Sequence, residues 1–181
     1  GFSPRYHILN QLGYSVYAPN FRGSGGFGLN FQEAGYKRWG TGMIDDMQEG
    51  AQALAEAGLV DSSMICAFGG SYGGYGTAQS LVRHPNFYDC GVIVAGVFDI
   101  EEQIKRSDTG GFYSGRAYMA NVIGTDPAEL RNQSPIKNLD KVKAPMLILH
   151  GTKDERTPFK GAEQMVAALK GTDIDFEYKY Y

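Results

Sequence analysis

Met64 to Phe68 (MICAF) runs into Gly69-Gly70-Ser71-Tyr72-Gly73-Gly74, and a helical pattern follows through Arg83. A continuous apolar run of this kind belongs to a strand covered on both faces of a sheet. Gly69 to Gly73 spell G-x-S-x-G, in which a serine stands between an ending strand and a starting helix. The turn is so sharp that the positions two residues either side of the serine must be small, and Gly69 and Gly73 meet that demand. It lifts the Ser71 hydroxyl above the sheet and aims it at the helix N-terminus. There the backbone N–H of Tyr72 can donate to a developing oxyanion. Ser71 is thus the candidate nucleophile and Tyr72 the candidate oxyanion donor. A phosphate-cradling loop also joins a strand to a helix, but it needs a lysine or a G-x-G-x-x-G spacing. Gly74-Tyr75-Gly76-Thr77 supplies no lysine.

Outward from this turn, strands and helices alternate. On the N-terminal side, Ser3-Pro4 opens a short helix that Gly13 closes. Tyr14 to Pro19 (YSVYAP) has the aromatic and β-branched content of a strand, and Asn20 to Gly28 (NFRGSGGFG) must be a loop. Ile44, Met47, Ala51 and Leu54 recur at helical spacing up to Gly58. On the C-terminal side come a strand over Gly91–Val97 (GVIVAGV), an irregular stretch over Phe98–Ala144, and a strand over Pro145–Leu149 (PMLIL). Thr157-Pro158 then caps a helix carrying Ala162, Met165, Val166 and Leu169, and Ile174–Tyr181 alternates as a last strand. This order predicts an α/β fold, a mostly parallel sheet with helices on both faces. The stretch from Phe98 is too long for a bare connection and reads as a partly helical insertion over the strand ends, where ligands bind in such sheets.

A chain of 181 residues is long enough for one domain with its own core. The net charge of −3, with both signs mixed, points neither to nucleic acid nor to a membrane surface. No apolar run reaches the roughly 18–20 residues that span a bilayer. Gly1 to Arg5 show no signal-peptide pattern, which suggests a cytoplasmic protein, and the start at Gly1 suggests a piece of a longer one. Cys66 and Cys90 lie in apolar strand-like runs and read as two buried thiols, with a disulfide between them as the alternative; they lack metal-ligand or redox spacing. No metal and no cofactor are expected.

In a Ser-dependent site of this kind the acid follows the serine and the histidine follows the acid. Asp99 and Asp154 each lie just past a strand. Asp154 is favoured because a short loop and a capped helix fix its position, so it can orient an imidazole and stabilise its charged form. The base is missing. The chain has three histidines, His7, His84 and His150, and none follows Asp154. His84 lies at the far end of the helix after Ser71, roughly 20 Å away at 1.5 Å per residue. His150 precedes the acid and reads as a packed structural residue.

These motifs together resemble the catalytic domain of the prolyl oligopeptidase family, which includes dipeptidyl and acylaminoacyl peptidases. The similarity covers nearly the whole chain. Asn20-Phe21-Arg22-Gly23-Ser24 resembles the family's N-x-R-G-[SG] loop, and Ile44-Asp45-Asp46 its following D-D helix. The elbow through Tyr75 is similar to G-[GW]-S-Y-G-G-[YF]. Arg83-His84-Pro85, Ser134-Pro135, Ala144-Pro145 and Asp154-Glu155-Arg156-Thr157-Pro158 also match.

The resemblance implies an α/β-hydrolase fold, with Ser71 as nucleophile, Asp154 as acid and Asp99 as structural. It implies that Arg156 binds a substrate carbonyl, and that Tyr113 or Tyr118 helps line a pocket for a proline-type side chain. The family's histidine loop, its H-G-G-P segment and its β-propeller have no counterpart in the sequence. The expectation is therefore residues 1–181 of a catalytic domain truncated at both ends, its propeller lying in the full-length protein. The function implied is a serine peptidase acting on short peptides through an acyl-enzyme, with self-association as a further option. An esterase or lipase on the same fold, or a degenerate domain that only binds, stand as alternatives.

Overall fold

Four strands pair in parallel in the order in which they occur along the chain. The computed structural model describes residues 3–181, so the start of the chain at Gly1 and Phe2 lies outside the described residues. In chain order the elements are α1 (Pro4–Gln11), α2 (Leu29–Glu33), α3 (Gly42–Glu56), β1 (Cys66–Gly70), α4 (Tyr72–Arg83), β2 (Cys90–Val94), α5 (Ile100–Arg106), α6 (Tyr113–Val122), α7 (Pro127–Asn132), β3 (Met146–His150), α8 (Phe159–Leu169) and β4 (Phe176–Tyr180). Each parallel step needs a crossover, and α4, the helical insertion and α8 supply them.

The main core forms where one face of the sheet meets two amphipathic helices. Ile93 and Ile148 from β2 and β3 pack with Ala78, Leu81 and Val82 of α4 and with Ala162, Met165, Val166 and Leu169 of α8. On the opposite face Val92, Val94, Leu147 and Leu149 are half-buried, and Phe68 is 45% exposed. A second cluster joins Tyr75 of α4 to Val97, just past β2, and to Ile100, Met119, Val122, Ile123 and Leu130 of the insertion. The insertion is thus helical and folds over the start of α4, as its length requires. No described helix is long and apolar enough to cross a membrane.

Two expectations fail. Tyr14–Pro19 forms no strand, and Tyr14 and Tyr17 are exposed. β-propensity describes how side chains fit a pleated surface, and among the described residues this segment has no neighbouring ladder to pair with. Cys66 and Cys90 are not buried thiols. They sit opposite each other in the β1–β2 register and form a disulfide, with Cys66 exposed among the described residues.

Ile148 is fully buried at the centre of the main cluster. Ile148→Ala is expected to destabilise the fold by roughly 2–5 kcal/mol, the usual cost of a large-to-small cavity. Chemical denaturation midpoints of parent and variant measure it.

Candidate active site

Ser71 ends β1 and begins α4 with φ 56 and ψ −120, a conformation L-residues rarely adopt. Its N–H donates to the Val94 carbonyl on β2 at 2.9 Å, and its own carbonyl accepts from Tyr75 N at 3.0 Å. The serine is therefore pinned to the neighbouring strand on one side and to the first turn of α4 on the other. Its side chain is left exposed at the carboxyl edge of the sheet.

The small residues of the turn do unequal work. A Cβ on Gly69 would lie 2.2 Å from the Gly73 carbonyl oxygen, and one on Gly74 would lie 2.9 Å from Gly96 Cα and from the Val94 carbonyl. A Cβ on Gly73 would meet nothing within 4 Å. The sequence rule asked for small residues on both sides of Ser71. In this chain the space is needed at Gly69 and Gly74, while Gly73 contributes the backbone against which Gly69 packs.

Tyr72 opens α4, where the first N–H groups have no intrahelical acceptor. That is the donor position an oxyanion requires. Its side chain turns inward: the phenol donates to the Trp39 carbonyl at 2.8 Å, and burial pushes its pKa up. The phenol stays protonated at neutral pH and takes no part as a base. Rings of Phe21, Trp39 and Tyr75 stand 5.6, 5.0 and 5.6 Å from the Tyr72 ring.

Phe21 belongs to the glycine-rich loop, and the next residue holds that loop in place. Asp46 on α3 accepts from both the backbone N–H and the Nε of Arg22 at 2.8 Å, and from Nη2 at 2.6 Å. On the far side Tyr75 donates to the Gln133 carbonyl at 2.9 Å, and Gln133 accepts from Gly40 N–H at 2.9 Å. The elbow is braced by three segments distant in sequence.

Asp154 lies past the end of β3, two strands from Ser71 and at the same sheet edge. Neighbouring strands lie about 4.8 Å apart, so the two strand ends stand roughly 10 Å apart laterally, leaving room for a bridging imidazole. One carboxylate oxygen accepts from Arg156 N at 3.0 Å and Thr157 N at 2.8 Å; the other accepts from Thr157 Oγ1 at 2.8 Å. The loop is also tied from below, where His150 Nε2 stands 2.8 Å from the Thr157 carbonyl and so carries the proton. His150 is buried, 3.9 Å from the Asp154 carboxylate, and spent on that bond.

His84 follows the last residue of α4 and sits 3.1 Å from Asp45, its pKa lowered chiefly by burial. His7 lies in α1, which buries none of its residues. Asp99 caps α5 by accepting from Glu101 N and Glu102 N, the structural role the resemblance implies.

Arg156 is exposed at the mouth of a cleft of about 320 Å³ lined by Asp108, Thr109, Phe112, Ser114, Gly115 and Arg156 itself. Its Nε pairs with Asp108 at 3.2 Å and its Nη1 with Thr109 Oγ1 at 3.1 Å. Tyr113 and Tyr118 are exposed on α6 and do not line the cleft, whereas Phe112 does. Sequence reading missed Phe112 and Asp108, since only the folded insertion carries them to Arg156. Among the described residues no group of three or more His, Cys, Asp or Glu is placed to hold a metal ion.

A serine at positive φ on a strand-to-helix turn, with a carboxylate at the same edge of a parallel sheet, defines the serine hydrolases of the α/β-hydrolase fold. Residues 1–181 match the prolyl oligopeptidase family, and the chain belongs to it. It is 32% identical over 188 residues to dipeptidyl peptidase family member 6 of Caenorhabditis elegans, covering 100% of this chain and 25% of that protein. It is 32% identical over 182 residues to dipeptidyl aminopeptidase BIII of Pseudoxanthomonas mexicana, covering 98% and 26%. The crystal structure of a puromycin hydrolase superposes with a TM-score of 0.81 at 30% identity, over 90% of this chain and 24% of that one. The chain thus spans about a quarter of the length of the curated relatives it matches.

Two outcomes follow from this geometry. Gly69→Ala is expected to abolish a folded elbow, while Gly73→Ala leaves it intact. Circular dichroism and labelling of Ser71 by a fluorophosphonate, in the full-length protein, separate the two. The hydrogen bonds from Arg22 hold the Asp46 carboxyl below its ordinary pKa of 3.8, against the opposing pull of burial. Because the folded value lies below the unfolded one, the pairing stabilises the fold above about pH 4 and is lost as pH falls through the folded value. Asp46→Asn is expected to lower stability at neutral pH and to flatten its acid dependence, read from denaturation midpoints between pH 2 and 7.

Proposed function

We propose that the full-length protein is a serine peptidase that cleaves short peptides through an acyl-enzyme, with Ser71 as nucleophile and Asp154 as acid. The observation that carries this reading is the backbone of Ser71, held at positive φ and pinned to β2 with its hydroxyl exposed. A purely structural serine gains nothing from that conformation, which costs on the order of 1–3 kcal/mol. The peptidase names of the relatives support the substrate class.

In the proposed cycle the Ser71 hydroxyl attacks the scissile carbonyl and passes its proton to an imidazole. The Tyr72 N–H donates to the oxyanion, and the intermediate collapses as the imidazole protonates the leaving amine. Water then attacks the acyl-enzyme, giving its proton to the imidazole, which passes it to Ser71 Oγ as the acid product leaves. Asp154 keeps the imidazole oriented and stabilises its cationic form. Arg156, braced by Asp108 and Thr109, receives a substrate carbonyl, and Phe112 lines the adjoining cleft.

The imidazole comes from a residue beyond Tyr181. Thr152 N–H and its hydroxyl both donate to the Tyr181 carbonyl at 2.8 Å, and Tyr181 N–H donates to the His150 carbonyl at 3.0 Å. Backbone continuing from β4 therefore emerges beside the Asp154 loop. The proposal includes a propeller in the remaining length that the relatives possess. These 181 residues form the incomplete catalytic domain, whose turnover without the imidazole falls by several orders of magnitude.

The full-length protein is expected to take up a fluorophosphonate at Ser71, and Ser71→Ala to take up none. Equal labelling of Ser71→Ala would remove the nucleophile assignment. Asp154→Asn is expected to lower kcat by about 10⁴-fold on a chromogenic dipeptide amide. Arg156→Ala is expected to act mainly on KM, since its contact is with bound substrate.

A further inference from the structure

Thr157 carries three polar groups, and all three are engaged around Asp154. Its N–H donates to Asp154 Oδ1, its hydroxyl donates to Oδ2, and its carbonyl accepts from His150 Nε2, each at 2.8 Å. Thr157 and His150 are both buried, so packing holds the hydroxyl in this geometry. A carboxylate offers about four acceptor sites, two on each oxygen. On Oδ1 both are taken, by the N–H groups of Arg156 at 3.0 Å and of Thr157. On Oδ2 one is taken by the Thr157 hydroxyl, and His150 Nε2 at 3.9 Å is too far to take the other. An imidazole that comes to Asp154 therefore shares Oδ2 with that hydroxyl. The two N–H donors orient the carboxylate whichever side chain stands at position 157; the third donor depends on threonine itself.

We propose that Thr157 is a positioning residue whose hydroxyl, sharing Asp154 Oδ2 with the catalytic imidazole, sets the pH below which the peptidase loses activity. This rests on the reading of Asp154 as the acid. The hydroxyl proton points at the oxygen that stabilises the imidazolium, and so draws off part of the negative charge available to that cation. A bond dipole with its positive end toward a cation disfavours the charged form. The imidazole thus stays neutral, and able to take the Ser71 proton, down to a lower pH than it would without the hydroxyl. Thr157 keeps its own proton throughout, so it adds none to the cycle and removes none. Around the loop, Asp99 pairs with Lys137, Glu102 with Arg106 and Asp108 with Arg156. His150 of β3, Lys153 and Glu155 of the loop and Lys160 of α8 are its other charged or titratable neighbours. A substitution at 157 leaves all of these present, and His150 reaches Thr157 through the backbone carbonyl, which every variant keeps.

The test uses the full-length protein and the pH dependence of kcat/KM on a chromogenic dipeptide amide. Thr157→Val keeps the shape of the side chain and removes the donor, while Thr157→Ser keeps the donor. Thr157→Ala is a second donorless variant should valine prevent folding. In Thr157→Val the acid limb is expected to move up by roughly half to one pH unit, with KM little changed. In Thr157→Ser it is expected to return toward the parent's position. A limb that stays in place or moves down in Thr157→Val, or a Thr157→Ser limb displaced as far as that of Thr157→Val, would overturn the proposal. So would a folded donorless variant with too little turnover to give a profile, since the backbone donors to Oδ1 remain in it. Asp154→Asn separates the proposal from the reading beneath it. Full turnover by Asp154→Asn would remove the acid assignment, and the hydroxyl's role with it. A large loss in Asp154→Asn beside an unmoved limb in Thr157→Val would keep the acid and remove only the role of the hydroxyl.

Discussion

Ser71 is held at φ 56 and ψ −120 by a hydrogen bond from its N–H to Val94 on one side and by the first turn of α4 on the other. Much of the surrounding structure answers to that one strained backbone. Gly69 must lack a side chain because the Gly73 carbonyl occupies the place a Cβ would take, and Gly74 must lack one because β2 turns past it at Gly96. Any relaxation of Ser71 toward negative φ would require α4 to swing away from β2. The burial of Ala78, Leu81 and Val82 beneath the sheet opposes that swing. Hydrophobic packing thus supplies the force and glycine the space.

Polar contacts settle the direction of what packing holds in place. The Arg22–Asp46 pairing fixes the glycine-rich loop, so that Phe21 reaches Tyr72. The hydroxyls of Tyr72 and Tyr75 end on backbone carbonyls at Trp39 and Gln133. Each of these bonds joins segments far apart in the chain, and the phenols involved are raised in pKa by burial, so they hold their protons and remain donors. The site is therefore preorganised by groups that do not titrate near neutral pH. On the side of Asp154, the loop after β3 closes on itself through Thr157, and His150 anchors it from the core.

Much of this was legible in the sequence for a local reason. The elbow, the strand before it and the helix after it are contiguous, and their conformations follow from apolar runs, glycine placement and capping within a few residues. The acid loop after β3 was readable in the same way, because His150 to Pro158 is a single short connection. Where pairing with distant chain was needed, local signals failed. Tyr14–Pro19 has strand composition but no ladder partner among the described residues, and no feature of those six residues reveals that. The cleft beside Arg156 is built by Asp108 and Phe112 from an insertion whose path depends on the second core cluster.

The cysteines mark the same boundary. Two apolar-flanked thiols 24 residues apart read as core residues, because burial was inferred from the company they keep in sequence. Only the parallel register of β1 on β2 puts them opposite each other. The sequence by itself determined most of the element order, the α/β class and Ser71 as nucleophile candidate, since each depends on spacing within short segments. The tertiary structure alone decided which glycines the elbow needs, that Asp108 and Phe112 meet Arg156, and that Cys66 and Cys90 are joined. Those facts depend on which strand lies beside which, and strand neighbours are chosen by the packing of the whole sheet.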